Sequence, residues 1–272
     1  MDKIGIIAGN SQFPILFAKA ARAAGLTVIA AAHSGETEEE LNQWVDEITW
    51  IKLGQLGKLI KVFKKAGVNR AVMCGGIKKT RMFHDIVPDF KALSLLPKIK
   101  NMADDGILRT LAAVMEEEGI AILPSHELVP SLLAGAGLYT RRAPNEEQML
   151  DIDLGWQIFN QLGPLDIGQA LILKNKTVVA VEAIEGTDAC IVRGGQLAGA
   201  GVVVLKRCKP NQDKRFDLPS VGSKTIETML AAGAVCLCIE AGNTLVFDKE
   251  EMVALADKHN ICILARELAE KN

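Results

Sequence analysis

Two acidic turns hold the carboxylates best placed for chemistry. Glu182-Ala183-Ile184-Glu185-Gly186-Thr187-Asp188 ends a β-like run with three acids and a glycine turn. Asp217-Leu218-Pro219-Ser220-Val221-Gly222-Ser223-Lys224-Thr225 precedes a helical pattern, with Ser220 or Ser223 as the expected cap. Carboxylates beside a helix start that also holds phosphate suit Mg²⁺, which takes one or two carboxylates together with water and phosphate oxygens. Mn²⁺ is the alternative ion, and Asp188 and Asp217 are the expected ligands. Asp166-Ile167-Gly168-Gln169 adds another acid and an amide between a helix and a strand. Taken singly, Asp188 or Asp217 also fits a helix cap or a solvated turn.

Two glycine loops are the second resource. Gly9-Asn10-Ser11-Gln12-Phe13-Pro14 joins the first strand pattern to the first helix pattern, where a Rossmann-type sheet aims backbone amides at an anion. Ser11 and Pro14 stand at the second and third glycine positions of the dinucleotide fingerprint G-x-G-x-x-G. The second strand pattern ends in Ala30-Ala31-Ala32-His33, with no acid for a ribose. A nicotinamide dinucleotide is therefore disfavoured, and a nucleotide-like anion stays open. Cys74-Gly75-Gly76-Ile77-Lys78-Lys79 follows a later strand pattern at the same expected sheet edge. Its glycines allow close backbone approach, and Lys78 or Lys79 could meet phosphate. Two unrelated loops and a solvated lysine pair form the competing reading.

The remaining chemistry-bearing residues give less. His33 and His84 fall in expected loops, His126 near a helix start and His259 near a helix end, and no Ser-His-Asp or Cys-His arrangement follows from their spacing. The six cysteines form no C-x-x-C pair and read as small core residues.

The elements that must position these loops alternate. Strand patterns at 3–8, 26–32, 48–51, 68–74 and 120–123 are separated by helical ones at 14–24, 57–66 and 104–118. Leu59, Ile60 and Phe63 make one helical stripe, and Ile107, Leu108, Leu111, Val114 and Met115 another. Strand and helix in turn imply a parallel sheet with crossover helices. Leu133 to Pro144 lacks periodicity and reads as a linker, which sets domains at 1–134 and 135–272. Beyond it lie helical patterns at 149–162, 223–232 and 249–259. Strand patterns fall at 170–173, 177–183, 202–206, 235–239 and 245–247, a mixture in which hairpins are expected.

Composition bounds the partners. A length of 272 residues fits about two domains at ~150 residues each. The net charge of −2 argues against a general nucleic-acid binder, and 4% aromatic content argues against a stacking platform for bases. No signal-peptide pattern or spanning apolar run is present, so a cytoplasmic location is expected. Phe90 to Lys100, with Met82-Phe83, mixes apolar and basic residues. That pattern suits either helix core or contact with an anionic membrane surface.

Together, Ile6-Ile7-Ala8-Gly9 with Pro14, Asp104-Asp105-Gly106-Ile107-Leu108-Arg109, Asp151-Ile152-Asp153, Leu165 to Gln169, Val181 to Asp188 and Asp217 to Gly222 resemble one known family. It is the UDP-2,3-diacylglucosamine pyrophosphatase family of lipid A biosynthesis, the type unrelated to the metallophosphoesterase of the same step. The resemblance implies a Rossmann-like N-terminal domain plus a distinct mixed α/β C-terminal domain. It also implies Mg²⁺-dependent hydrolysis of UDP-2,3-diacylglucosamine to UMP and 2,3-diacylglucosamine 1-phosphate. The family's essential aspartate maps to Asp217. Asp188 or Glu185 is expected to assist. Gly9, Asn10, Ser11, Gln12, Gly75, Gly76, Ile77, Lys78, Gln169, Gly186 and Thr187 are expected to line the substrate site. A peripheral contact with the cytoplasmic face of the inner membrane would suit the acyl chains. A non-catalytic UDP-sugar-binding protein and a dinucleotide-dependent oxidoreductase are the alternatives.

Overall fold

The computed structural model describes residues 2–78, 86–95, 104–162, 165, 167–209, 213–216 and 218–267. The chain forms two compact units. Unit 1 is Met1–Pro130 with Asp213–Asp217; unit 2 is Ser131–Gln212 with Leu218–Asn272.

Unit 1 runs β1 (Lys3–Ala8), α1 (Phe13–Ala23), β2 (Thr27–His33), β3 (Glu47–Ile51), α2 (Leu56–Ala66), β4 (Arg70–Cys74), α3 (Phe90–Leu93), α4 (Asp104–Glu117) and β5 (Ala121–Leu123). The strands pair in the order β3-β2-β1-β4-β5, parallel throughout. Strand order reverses between β1 and β4, which makes that gap the switch point of a doubly wound sheet. Strand periodicity sends alternate residues to opposite faces. Ile7, Ile29, Ala31, Ala71 and Met73 meet Leu59, Ile60 and Phe63 of α2 and Val114 and Met115 of α4. The helix α1 packs on β1, β2 and β4 and buries Phe13, Ile15, Phe17, Ala18 and Ala21. The two apolar stripes read from the sequence, on α2 and α4, thus cover one face of the sheet together, and α1 packs on its strands with residues outside that cluster. His33 is the last residue of β2 and not part of a loop.

Unit 2 contains β6 (Gly137–Leu138), α5 (Glu146–Leu162), β7 (Ala170–Lys174), β8 (Thr177–Val181), α6 (Thr187–Ala198), β9 (Val202–Lys206), β10 (Ser220–Val221), α7 (Ser223–Ala231), β11 (Ala234–Glu240), β12 (Leu245–Val246), α8 (Lys249–Lys258) and β13 (Cys262–Arg266). Its main sheet has the order β6-β13-β11-β9-β7-β8. The β13, β11 and β9 strands are parallel, while β7 runs antiparallel to β9 and forms the expected hairpin with β8. One face packs on Ile152, Trp156 and Phe159 of α5. The other packs on Ile191, Ile226, Met229 and Met252 of α6, α7 and α8. All six cysteines are buried, and burial pushes the Cys190 and Cys238 thiols up to about 12. At the ends of β9 and β11, Arg207 and Glu240 form a buried ion pair of 3.0 Å. The Arg207 guanidinium lies 4.3 Å from the Trp156 ring and donates to Trp156 O at 3.1 Å, tying α5 to the sheet.

Three sequence-based expectations change here. The supposed linker is sheet edge: β6 pairs with β13, Tyr139 N donates to Ile263 O at 2.9 Å, and Ala134 N donates to Thr244 O at 2.8 Å. Neither Ser220 nor Ser223 caps α7. Ser220 lies in β10, the cap position is Gly222, and the buried Ser223 Oγ has no hydrogen-bond partner among the described residues. Finally, α6 was not expected, because Ile191, Val192, Gly194 and Gly195 are poor helix formers. Contact overrides propensity. A Cβ on Gly194 would lie 2.6 Å from Ile172 Cγ2, and one on Gly195 would lie 2.2 Å from Ala232 O.

Candidate functional site

The two glycine loops of unit 1 follow β1 and β4, which places both at the same sheet edge and on either side of the switch point. Their backbones are stitched together. Gly9 N donates to Cys74 O at 2.8 Å and Asn10 N to Gly76 O at 2.7 Å. A Cβ on Gly9 would lie 2.2 Å from Gly76 O, and one on Gly75 would lie 2.0 Å from Asn10 O. These two glycines therefore serve loop-on-loop contact. Ser11 adopts φ +74°, a backbone state that glycine accepts more easily. Its Oγ accepts from Phe13 N at 3.3 Å, Ile15 N donates to Gln12 O at 3.0 Å, and Pro14 has no N–H. Much of the amide set expected to face an anion is thus used internally. Gly76 and Lys78 are exposed and Ile77 is half-buried.

Side chains from beyond β2 complete this edge. His33 Nδ1 lies 2.9 Å from Ala8 O, and Thr37 Oγ1 donates to the same oxygen at 2.7 Å while accepting from His33 N at 3.1 Å. Asn10 Nδ2 donates to the buried Glu36 carboxylate at 3.0 Å. β2 itself ends without an acid, as read from the sequence, but Glu36, just past the strand end, brings a carboxylate to this loop. Burial holds the His33 imidazole below its ordinary value, against the opposing pull of Ala8 O and Glu36. His126, just after β5, is lowered for the same main reason.

Asp213–Phe216 is fixed inside unit 1. Arg215 grips Asp213 through Nη2 at 2.9 Å and Nε at 3.1 Å, reaches Glu116 at 2.9 Å, and lies 4.8 Å from the Phe216 ring. Arg109 approaches Asp213 at 3.5 Å, which gives the Asp104–Arg109 motif a structural role. Arg215 holds the Asp213 carboxyl below its usual range. Phe216 is buried in the unit 1 core. Asp217, the next residue, and Asp166 lie outside the described residues.

In unit 2 the acidic turn joins β8 to α6. Glu182 Oε2 accepts from Gln169 N at 3.2 Å and from Thr187 Oγ1 at 3.1 Å. A Cβ on Gly168 would lie 2.1 Å from Glu182 O, so the 167–169 segment is packed directly on the turn. Glu185 accepts from Ala183 N at 3.1 Å and from Arg193, which also donates to Val181 O at 2.9 Å. That guanidinium holds the Glu185 carboxyl below its usual range. Asp188 is 54% exposed and 4.0 Å from Lys224 Nζ. The structure therefore brings Gln169, Glu185, Gly186, Thr187 and Asp188 together in unit 2, and Gly9 to Gln12 with Gly75 to Lys78 in unit 1. Of the two organisers of the turn, Glu182 was read from the sequence as one of its three acids without a role of its own, and Arg193 was not singled out. Both lie within or one helical turn beyond the motif.

Among the described residues, no three His, Cys, Asp or Glu side chains gather as a metal cluster. Glu182 and Glu185 are engaged, and Asp188 sits in the first turn of a helix beside a lysine, where the local field favours an anion.

Comparison with known proteins places the chain. Residues 3–132 match the model of the LpxI N-terminal domain and residues 135–264 that of the LpxI C-terminal domain. The chain is 31% identical over 283 aligned residues to the UDP-2,3-diacylglucosamine pyrophosphatase LpxI of Caulobacter vibrioides (strain ATCC 19089 / CIP 103742 / CB 15), with both proteins covered in full. Among solved structures, phosphoribosylglycinamide synthetase from Anaerococcus prevotii aligns over 63% of this chain and 31% of its own, at 15% identity and a TM-score of 0.27. The biotin carboxylase domain of Hydrogenobacter thermophilus 2-oxoglutarate carboxylase aligns over 72% and 41%, at 12% identity and a TM-score of 0.28. The chain spans less than half of either protein, and scores this low carry no argument. The two domain models, matched in order, and the full-length relative show that the chain belongs to the LpxI family.

Proposed function

We propose that this protein hydrolyses the diphosphate bond of UDP-2,3-diacylglucosamine, releasing UMP and 2,3-diacylglucosamine 1-phosphate in lipid A biosynthesis. The observation that carries this reading is its match to a pyrophosphatase across the full length of both chains. The geometry supports it, since two loops flank the switch point of a parallel sheet, where such folds bind nucleotides. A diphosphate repels nucleophiles, so hydrolysis needs a positioned water and charge neutralisation. Mg²⁺, or Mn²⁺ in its place, is proposed as the cofactor, because a divalent ion bound by carboxylate and phosphate oxygens would neutralise the diphosphate charge. Asp217 is proposed as the essential carboxylate, with Asp188 or Glu185 assisting. Mass spectrometry of the reaction should show both products. Asp217→Asn should lower turnover by about 10³-fold or more while substrate still binds. Near-normal turnover by the folded variant would sink the assignment.

The membrane reading narrows to a smaller patch. No helix of the described residues is long and apolar enough to cross a membrane. Leu95 is buried in the unit 1 core, so it is not an interfacial residue; Met82, Phe83 and residues 96–100 lie outside the described set. Phe90, however, is 93% exposed, and Ile86, Val87 and Leu93 are exposed near it. We propose that these residues contact the bilayer that holds the acyl chains. Phe90→Asp should reduce flotation with vesicles containing anionic lipid; equal flotation of the folded variant refutes the contact.

A further inference from the structure

We propose that the end of β2 is a nucleoside subsite, in which His33 Nε2 accepts a hydrogen bond from a ribose hydroxyl of a uridine nucleotide. The proposal rests on the functional reading above and assigns a place to one part of that substrate. Four observations lead to it.

The first is position. β2 lies beside β1, with Ala32 in register with Ala8, so His33 stands next to the Gly9 loop at the carboxyl edge of the sheet. In doubly wound sheets, ribose recognition falls to side chains after the second strand, and the phosphates fall to the loop after the first.

The second is proton placement. Ala8 O can only accept, so the 2.9 Å contact puts the imidazole proton on Nδ1. Nε2 is then a lone-pair acceptor. Among the described residues nothing donates to it, and it is not among the fully buried polar atoms that lack a partner. Thr37 braces the same carbonyl and the His33 amide, so the ring is held from two sides.

The third is charge. Burial lowers the His33 pKa and so favours the neutral ring, which preserves the acceptor. The buried Glu36 carboxylate stands close enough to act on it electrostatically and holds Asn10 at 3.0 Å. A neutral acceptor beside a carboxylate repels phosphate and suits hydroxyl donors.

The fourth is the contrast at the next loop. The exposed Lys78 follows β4, on the other side of β1. Positive charge on that side and acceptors on the β2 side order a nucleotide along the edge.

The test is calorimetric titration of the full chain with UMP, 2′-deoxy-UMP, 3′-deoxy-UMP and N3-methyl-UMP. His33→Asn is the informative variant, because an asparagine amide can reproduce the Nδ1 bond to Ala8 and has nothing at the Nε2 position. Wild type should bind one of the two deoxy nucleotides about tenfold more weakly than UMP. His33→Asn should bind UMP about tenfold more weakly and lose that discrimination. Equal binding of both deoxy nucleotides by wild type overturns the subsite without any variant. So does discrimination that persists in His33→Asn, or an effect of position 33 on N3-methyl-UMP alone. Release of UMP from the lipid substrate with no ribose discrimination overturns the subsite and leaves the hydrolase. UMP binding with ribose discrimination but no turnover does the reverse.

Discussion

Gly9 and Gly75 of unit 1 and Gly186 of unit 2 occupy candidate site loops for opposite reasons, while Gly168 of unit 2, with a Cβ position 2.1 Å from Glu182 O, sides with the first pair. In unit 1, Gly9 and Gly75 stand where two backbones touch, and any Cβ would fall within 2.2 Å of a carbonyl oxygen. In unit 2, Gly186 has φ +84° and ψ 167°, and nothing lies within 4 Å of the position its Cβ would take. That is a region of backbone space essentially reserved for glycine. The first system is closed upon itself, and its amides are largely used; side chains such as Asn10, His33 and Glu36 must do the recognising. The second keeps open space before the first turn of α6, bordered by Thr187 and Asp188. A glycine-rich loop thus has no single meaning. The surplus of 24 glycines in 272 residues, above the usual ~7%, includes both kinds.

This comparison can be broken by adding one methyl group. Gly75→Ala meets both penalties, a positive φ of +80° and an atom 2.0 Å away, and should destabilise unit 1 by about 4 kcal/mol. Gly9→Ala meets only the steric one and isolates it. Gly186→Ala meets only backbone strain and should cost about 2 kcal/mol, felt in unit 2. Urea unfolding followed by site-resolved hydrogen exchange assigns each loss to its unit. If Gly186→Ala proved as damaging as Gly75→Ala, the open space before α6 would not be real room.

Much of the alternation was legible in the sequence, because aliphatic stripes on α2 and α4 and short apolar runs leave strong periodic signals. What remained hidden has physical causes. β6 is two residues long and made of Gly137 and Leu138, too short for any period, and its identity comes from pairing with β13. α6 is formed by packing against Ile172 and Ala232 in spite of its glycines. At the site, the loops after β1 and β4 were found because the carboxyl ends of parallel strands fix their place at one edge of the sheet. The acceptors at the end of β2 were not, because Glu36 and Thr37 are brought back to Ala8 and Asn10 by hydrogen bonds that have no linear pattern. Similarly, Arg193 acts on Glu185 from eight residues away, across a helix the sequence did not announce.

The smallest effect separates the two turns by what holds them. The unit 1 loops are tied to one another by backbone hydrogen bonds, which do not titrate. The unit 2 turn is tied in part by Glu185 and Arg193, and the Glu185 carboxyl sits below its ordinary value chiefly because Arg193 donates to it. A carboxyl lowered in the folded state binds its proton more readily in the unfolded chain. Its stabilising contribution is therefore complete above the ordinary carboxylate range, and it is lost as pH falls through the lowered folded value. The pair is partly solvated, with side chains 27% and 42% exposed, so water screens it and its contribution should fall below that of either glycine substitution. Thermal melts of wild type and Glu185→Gln at pH 6 and pH 3 read this directly. Glu185→Gln should be less stable at pH 6, and the gap should narrow at pH 3 as the wild-type carboxyl takes up its proton. An unchanged gap would assign the loss to packing of the turn, and charge would then not distinguish the two regions.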